Sequence, residues 1–229
     1  MESGRFIPFI LTNWIELGLV AALNAIYMST LFTTDSPAQG LIIATLWAFP
    51  LTLGAGIASV LIAVAAKWVL VGRFTARERP LFSSFVWRNE LADVFAESLA
   101  VASLIKIAIG SPLVVWYVRM MGARVGRDVW LETWWLPEFD IIDIADRASV
   151  NRGAVLQTHL FHDRVMSLVP THLESGATLG VNSFILPGAV VGDRTVVGDG
   201  SLVLRDEERP ADSHWQGNPV EPITKGVPA

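Results

Sequence analysis

A chain of 229 residues with 52% hydrophobic and 17% charged side chains and a mean hydropathy of +0.47 is too apolar for an ordinary water-soluble domain of that length. Its formal charge of −5 and pI near 5.3, with no basic stripe, argue against nucleic acid as a partner. With no cysteine, disulfides, thiolate zinc sites and a cysteine nucleophile are excluded.

Residues 1–72 read as a two-span membrane hairpin. The apolar stretch 6–32 exceeds the roughly 20 residues a spanning helix needs. Its length, its polar residues and the lack of a cleavage site make a secretory signal the poorer reading. A second stretch, 41–66, has no charge and continues past Lys67 to Val71, long enough to require tilt or a bend at Pro50. Arg5 precedes the first span, whereas Lys67, Arg73, Arg77 and Arg79 follow the second, and the intervening loop holds Asp35 but no base. The positive-inside rule then puts the Asp35 loop outside and both ends in the cytoplasm, at a cytoplasmic (inner) membrane. Asn13, Glu16 and Asn24 share one face of the first helix, which suits hydrogen bonding between helices.

Residues 73–122 read as connecting helices. The stretch 84–109 is helical in pattern, Gly110-Ser111-Pro112 stops it, and 113–121 forms one more short helix. Apolar helices with sparse charge suit an interfacial layer on the bilayer or a cap packed under the next domain.

From residue 123 the period changes. Leu173, Leu179, Ile185, Val191, Val197 and Val203 recur every six positions, separated by small and turn-forming residues. Six is neither a helix period nor a plain strand period; it marks a parallel β-helix whose aliphatic residues point inward and whose corners carry Gly, Asn and Asp. The pattern starts weakly at Val125 and Leu131 and recurs at Ile144, Val150 and Leu156. The step from Leu156 to Leu173 is not a multiple of six, so 157–172 must hold a loop or a distorted side. Insertions of this kind in solenoids commonly carry function. Two of the four histidines, His159 and His162, lie there beside Asp163 and Arg164. A histidine suits general-base work. A metal site would need a further ligand cluster, and none is apparent.

The repeats, the histidine in the interrupting segment and the terminal Gln216-Gly217-Asn218-Pro219 together resemble the hexapeptide-repeat (left-handed β-helix) acyltransferases. Phe85-Val86-Trp87-Arg88-Asn89-Glu90-Leu91, Glu138-Phe139-Asp140, Leu156-Gln157-Thr158-His159-Leu160-Phe161 and Asp163-Arg164-Val165-Met166 look like the membrane-embedded C-terminal region of polylysine-synthetase-type nonribosomal peptide synthetases. The fold class expected is thus an N-terminal α-helical membrane hairpin (1–72) and connecting helices (73–122), followed by a left-handed parallel β-helix of hexapeptide repeats (123–229). The resemblance implies acyl transfer from a coenzyme A or carrier-protein phosphopantetheine thioester to an amine or hydroxyl, with no tightly bound cofactor. His159 would be the base, oriented by Asp163 or Asp140, and Gln157, Thr158, Arg164, Trp215 and Asn218 would bind substrate. It also implies a homo-oligomer, a trimer for preference, because the family carries three tandem units where this chain has one. His162 stands where the family has an acidic residue. Adenylation and carrier domains are absent from the sequence, which leaves both a stand-alone relative and part of a longer synthetase open, with a carrier protein as a possible partner. The competing reading is a non-catalytic membrane scaffold or oligomerisation module.

Overall fold

A computed structural model describes residues 3–34 and 36–223. Asp35 and the side chain of Arg5, both used above to orient the hairpin, lie outside the described residues. The chain forms two compact units, one of Met1–Leu70 with Trp87–Lys106 and one of Val71–Val86 with Ile107–Ala229. The segment 73–122 is therefore shared between the two and is not a unit of its own.

In the first unit, helix α1 (Ser3–Phe32) packs along helix α2 (Pro37–Leu70), and both are long and apolar enough to cross a membrane. Trp14, Phe32, Leu46, Phe49 and Val69 point outward, and α2 is apolar on nearly all sides. Helix α2 runs through Pro50 without ending. Proline leaves the Leu46 carbonyl without its intrahelical donor, a loss that neighbouring groups can offset in an apolar helix. Glu16 is half-buried, while Asn13 and Asn24 are exposed on α1. The helix expected over 84–109 is α-helical only for Ser84–Phe95 (α3); it then widens into a π-helix over Ala96–Ile105, where the Lys106 N–H donates to the Val101 carbonyl at 3.1 Å. The small side chains Ala96 and Ala100, with Leu99 and Val101, let that stretch pack closely on α2.

The second unit is a three-sided parallel β-helix entered from helix α4 (Pro112–Met121). Along its first wall Val125 pairs with Ile144, Ile144 with Leu173, Leu173 with Val191 and Val191 with Arg209. The second wall runs Leu131, Val150, Leu179, Val197 and Trp215, and the third Leu156, Ile185 and Val203. The hexad aliphatics from Leu173 to Val203 are all buried. Each contributes about 1.5–3 kcal/mol by leaving water. Asn182, Gly188 and Asp206 turn corners at positive φ, which suits those residue types. Adjacent coils are also linked at the surface. The Asp146 carboxyl is held below the usual carboxylate range by the backbone N–H and the guanidinium of Arg127.

Coil stacking is tight enough to forbid side chains at particular positions. A Cβ on Gly180 would lie 2.5 Å from the carbonyl carbon of Gly198 and 2.6 Å from the Asp199 nitrogen, both backbone atoms of the next coil. Gly200 differs: its φ is +63°, but a Cβ there meets nothing within 4 Å. Gly180→Ala should therefore cost about 2–3 kcal/mol by overpacking, and Gly200→Ala about 1 kcal/mol by backbone strain. Denaturant titration of the two variants checks the order; equal losses would mean that the coils separate without resistance.

Candidate functional site

The break in the six-residue period is an ordered excursion from the coil. His159–His162 and Val165–Leu168 form an antiparallel hairpin that leaves the coil, and Glu78–Pro80 adds a third strand along Val165–Ser167. Asp163 and Arg164 turn the hairpin at positive φ. Met166 and Leu168 cover one side of it and join Phe74, Phe85, Val86 and Ile141 in a buried apolar cluster. The hairpin base is thus held by packing, and His159, which opens its first strand opposite Leu168, is fixed at the point where the chain departs from the coil.

A second irregularity meets it there. The step from Leu131 to Ile144 is also not a multiple of six, and its surplus residues include Pro137, Glu138 and the 3-10 turn Phe139–Ile141. Glu138 takes φ +40°, a backbone conformation that a long side chain rarely adopts. The strain turns its carboxylate inward, where it is 1% exposed and lies 2.9 Å from Nδ1 of His159. The Thr158 hydroxyl lies 2.5 Å from the same oxygen, Oε2, and 3.0 Å from the Pro137 carbonyl. A carboxylate there can only accept, so Nδ1 of a neutral imidazole carries the proton and Nε2 carries the lone pair. The carboxamide nitrogen of Gln157 stands 3.2 Å from Nε2, where it donates to that lone pair, and 3.1 Å from the carbonyl of His159. Both contacts therefore agree on one tautomer. The imidazole is 21% exposed, and the exposed ring of Phe161 lies 5.0 Å from it.

Of the residues expected at the site, His159, Gln157 and Thr158 come together. Nδ1 of the imidazole meets Glu138, and the two aspartates have partners of their own. Asp163 sits at the exposed hairpin turn and pairs with His162 at 3.1 Å. Asp140 accepts from the backbone N–H of Phe74 at 3.1 Å and lies 3.9 Å from the Arg73 guanidinium; its carboxylate fills the space a side chain on Gly122 would need. Arg164 is in the hairpin turn, where its carbonyl accepts from Leu81 N–H at 2.8 Å. Trp215 lies on the second wall under the Arg209 guanidinium, with its indole N–H donating to the Ser213 hydroxyl, and Asn218 is exposed, preceding Pro219 through a cis bond. Glu138 is the residue that sequence reasoning missed, although the second failure of the hexad spacing pointed to its segment. Asp140→Ala should destabilise the second unit by about 1–3 kcal/mol through loss of the carboxylate that accepts from the Phe74 N–H, and leave turnover per folded molecule unchanged. Thermal melts and rates normalised to folded protein check this.

No protein-family model matches the chain. It is 35% identical over 167 residues to delta-poly-L-ornithine synthetase of Acinetobacter baumannii, an alignment that covers 73% of this chain and spans 12% of that relative. Among solved structures, a hexapeptide-repeat acetyltransferase of Vibrio cholerae superposes on 52% of this chain and 85% of its own, with 18% identity and a TM-score of 0.43. A galactoside acetyltransferase in complex with coenzyme A superposes on 48% of this chain and 68% of its own, with 21% identity and a TM-score of 0.37.

Proposed function

We propose that the chain is a membrane-tethered acyltransferase of the hexapeptide-repeat type with His159 as its general base, related to the part of a poly-L-ornithine synthetase that it matches at 35% identity. The observation that carries the reading is the contact between Nδ1 of His159 and the buried Glu138, which leaves the lone pair of a neutral imidazole on Nε2. Nε2 takes the proton of an acceptor amine or hydroxyl as that group attacks the thioester carbonyl. Collapse of the tetrahedral intermediate breaks the carbon–sulfur bond, the imidazolium returns the proton to the leaving thiolate, and an amide or ester and a free thiol result. Glu138 stabilises the imidazolium in between. Gln157 occupies the place beside Nε2 that the acceptor takes, and so gives way or hydrogen-bonds to it.

Coenzyme A or a carrier-protein phosphopantetheine is the donor, and by analogy with poly-amino-acid synthesis an amine is the acceptor. The β-helix winds left-handed, works on the cytoplasmic side of a multi-pass membrane anchor and assembles as a homotrimer. Because the protein has no cysteine, a thiol reagent reports only the released donor thiol. Thiol release from acetyl-coenzyme A or an acylated carrier, dependent on an added amine and on His159, is the expected result. If thiol release with every donor is the same in the wild type and in His159→Ala, the scaffold reading stands instead.

A further inference from the structure

Helix α4 has two apolar faces, where a water-facing surface helix needs one. Val114, Val115, Tyr117, Val118 and Met121 are buried within the second unit, with the Tyr117 ring edge-on to Phe139 at 6.1 Å. On the other side Leu113, Trp116 and Met120, three and four positions apart, are 53%, 65% and 40% exposed. Ile107, shortly before the helix, is 81% exposed. A cleft of about 280 Å³ prolongs this surface between Pro112, Trp116 and the half-exposed Trp130. The exposure is not fraying. The Ser111 hydroxyl caps the Leu113 N–H at 3.3 Å, Gly122 closes the other end in the left-handed region, and the chain turns at once into the first strand of the β-helix.

The charge on this face has a definite place. Arg119 is exposed at the C-terminal end of the helix, and its guanidinium donates to the carbonyls of Val125, at 3.0 Å, and Gly126. Those partners are neutral, so the positive charge is held in position without being cancelled. A tryptophan flanked by aliphatics and ending on a fixed cation is the composition of a helix lying in the boundary between headgroups and acyl chains. The same chain carries two helices able to span, so a bilayer is always within tether reach and weak affinity suffices.

We propose that the Leu113–Trp116–Met120 face of α4 lies in the bilayer surface as an in-plane anchor of the β-helix unit, with Arg119 meeting an anionic lipid headgroup. The proposal goes beyond the two spans and rests on the reading that they cross the membrane. The absence of cysteine allows single nitroxide labels in the full chain, reconstituted in phosphatidylcholine–phosphatidylglycerol vesicles. Labels at Trp116→Cys and Met120→Cys should be reached by oxygen in preference to a water-soluble nickel complex, at a depth of about 5–10 Å. A label at the exposed wall residue Glu208→Cys should show the reverse, and one at Phe49→Cys on α2 should report the span itself. Aqueous values at 116 and 120 with a lipid value at 49 would overturn the anchor alone. Aqueous values at 49 would remove the spans and the anchor together. Labels that neither reagent reaches, with dipolar broadening that disappears on dilution with unlabelled chain, would show that a second copy covers the face, and would overturn the proposal too.

Discussion

Alanine at His159 should lower amine-dependent thiol release by about 10²–10⁴-fold, the usual contribution of a positioned base, while leaving the protein folded. The second half of this expectation follows from how the residue is held. Its strand pairs with Val165–Leu168 through backbone groups, which alanine retains. The imidazole is part-exposed, so its loss opens a notch to solvent and creates no sealed cavity. Glu138 loses one partner but keeps the Thr158 hydroxyl at 2.5 Å on the same oxygen, which limits the stability loss to about 1–3 kcal/mol. Rates with saturating donor, together with a thermal melt of the same preparation, separate the two effects. A variant that melts like the wild type and turns over at the wild-type rate would remove His159 from the chemistry.

How much of this arrangement the sequence discloses differs by element, for physical reasons. The coil walls from Leu173 to Val203 are legible because inward burial demands an aliphatic residue at every sixth position and the corners accept few residue types. Even there Arg194 takes positive φ. Arg194 does so while its guanidinium grips Asp212 at 2.6 Å on the adjacent coil, and its protonated form is favoured by that carboxylate. The hairpin is legible only as a gap in the period. Its third strand, Glu78–Pro80, is not legible at all, because Arg77-Glu78-Arg79-Pro80 has no alternating pattern and proline tolerates only an edge position. His159 stands out by residue type and place. Its partner does not, since the choice among Glu138, Asp140 and Asp163 depends on a backbone excursion at Glu138 that no sequence rule favours.

Glu138→Gln should lower turnover to an extent bounded by the roughly 10⁴-fold loss that a misoriented imidazole tautomer causes in serine-protease triads, with little change in KM for the thioester. Glutamine keeps the length of the side chain but makes its two ends unlike. If the amide oxygen faces Nδ1, that nitrogen keeps its proton and Nε2 stays basic, but the negative charge beside the forming imidazolium is gone. If the amide nitrogen faces Nδ1, it donates there, the ring proton moves to Nε2 and the base is lost. The charge term has its own signature. Without an adjacent anion the imidazolium is less stable, so the acid limb of the rate profile moves to lower pH in whatever activity remains. Glu138→Asp tests the reach of the carboxylate, since aspartate tolerates the left-handed backbone better but is one methylene shorter. It should restore the pH profile more than the rate. A purely structural Glu138 predicts the opposite pattern, with both variants melting early and the folded fraction turning over at wild-type speed on an unmoved pH profile. That pattern would return His159 to an unpositioned base and reopen the choice of its carboxylate.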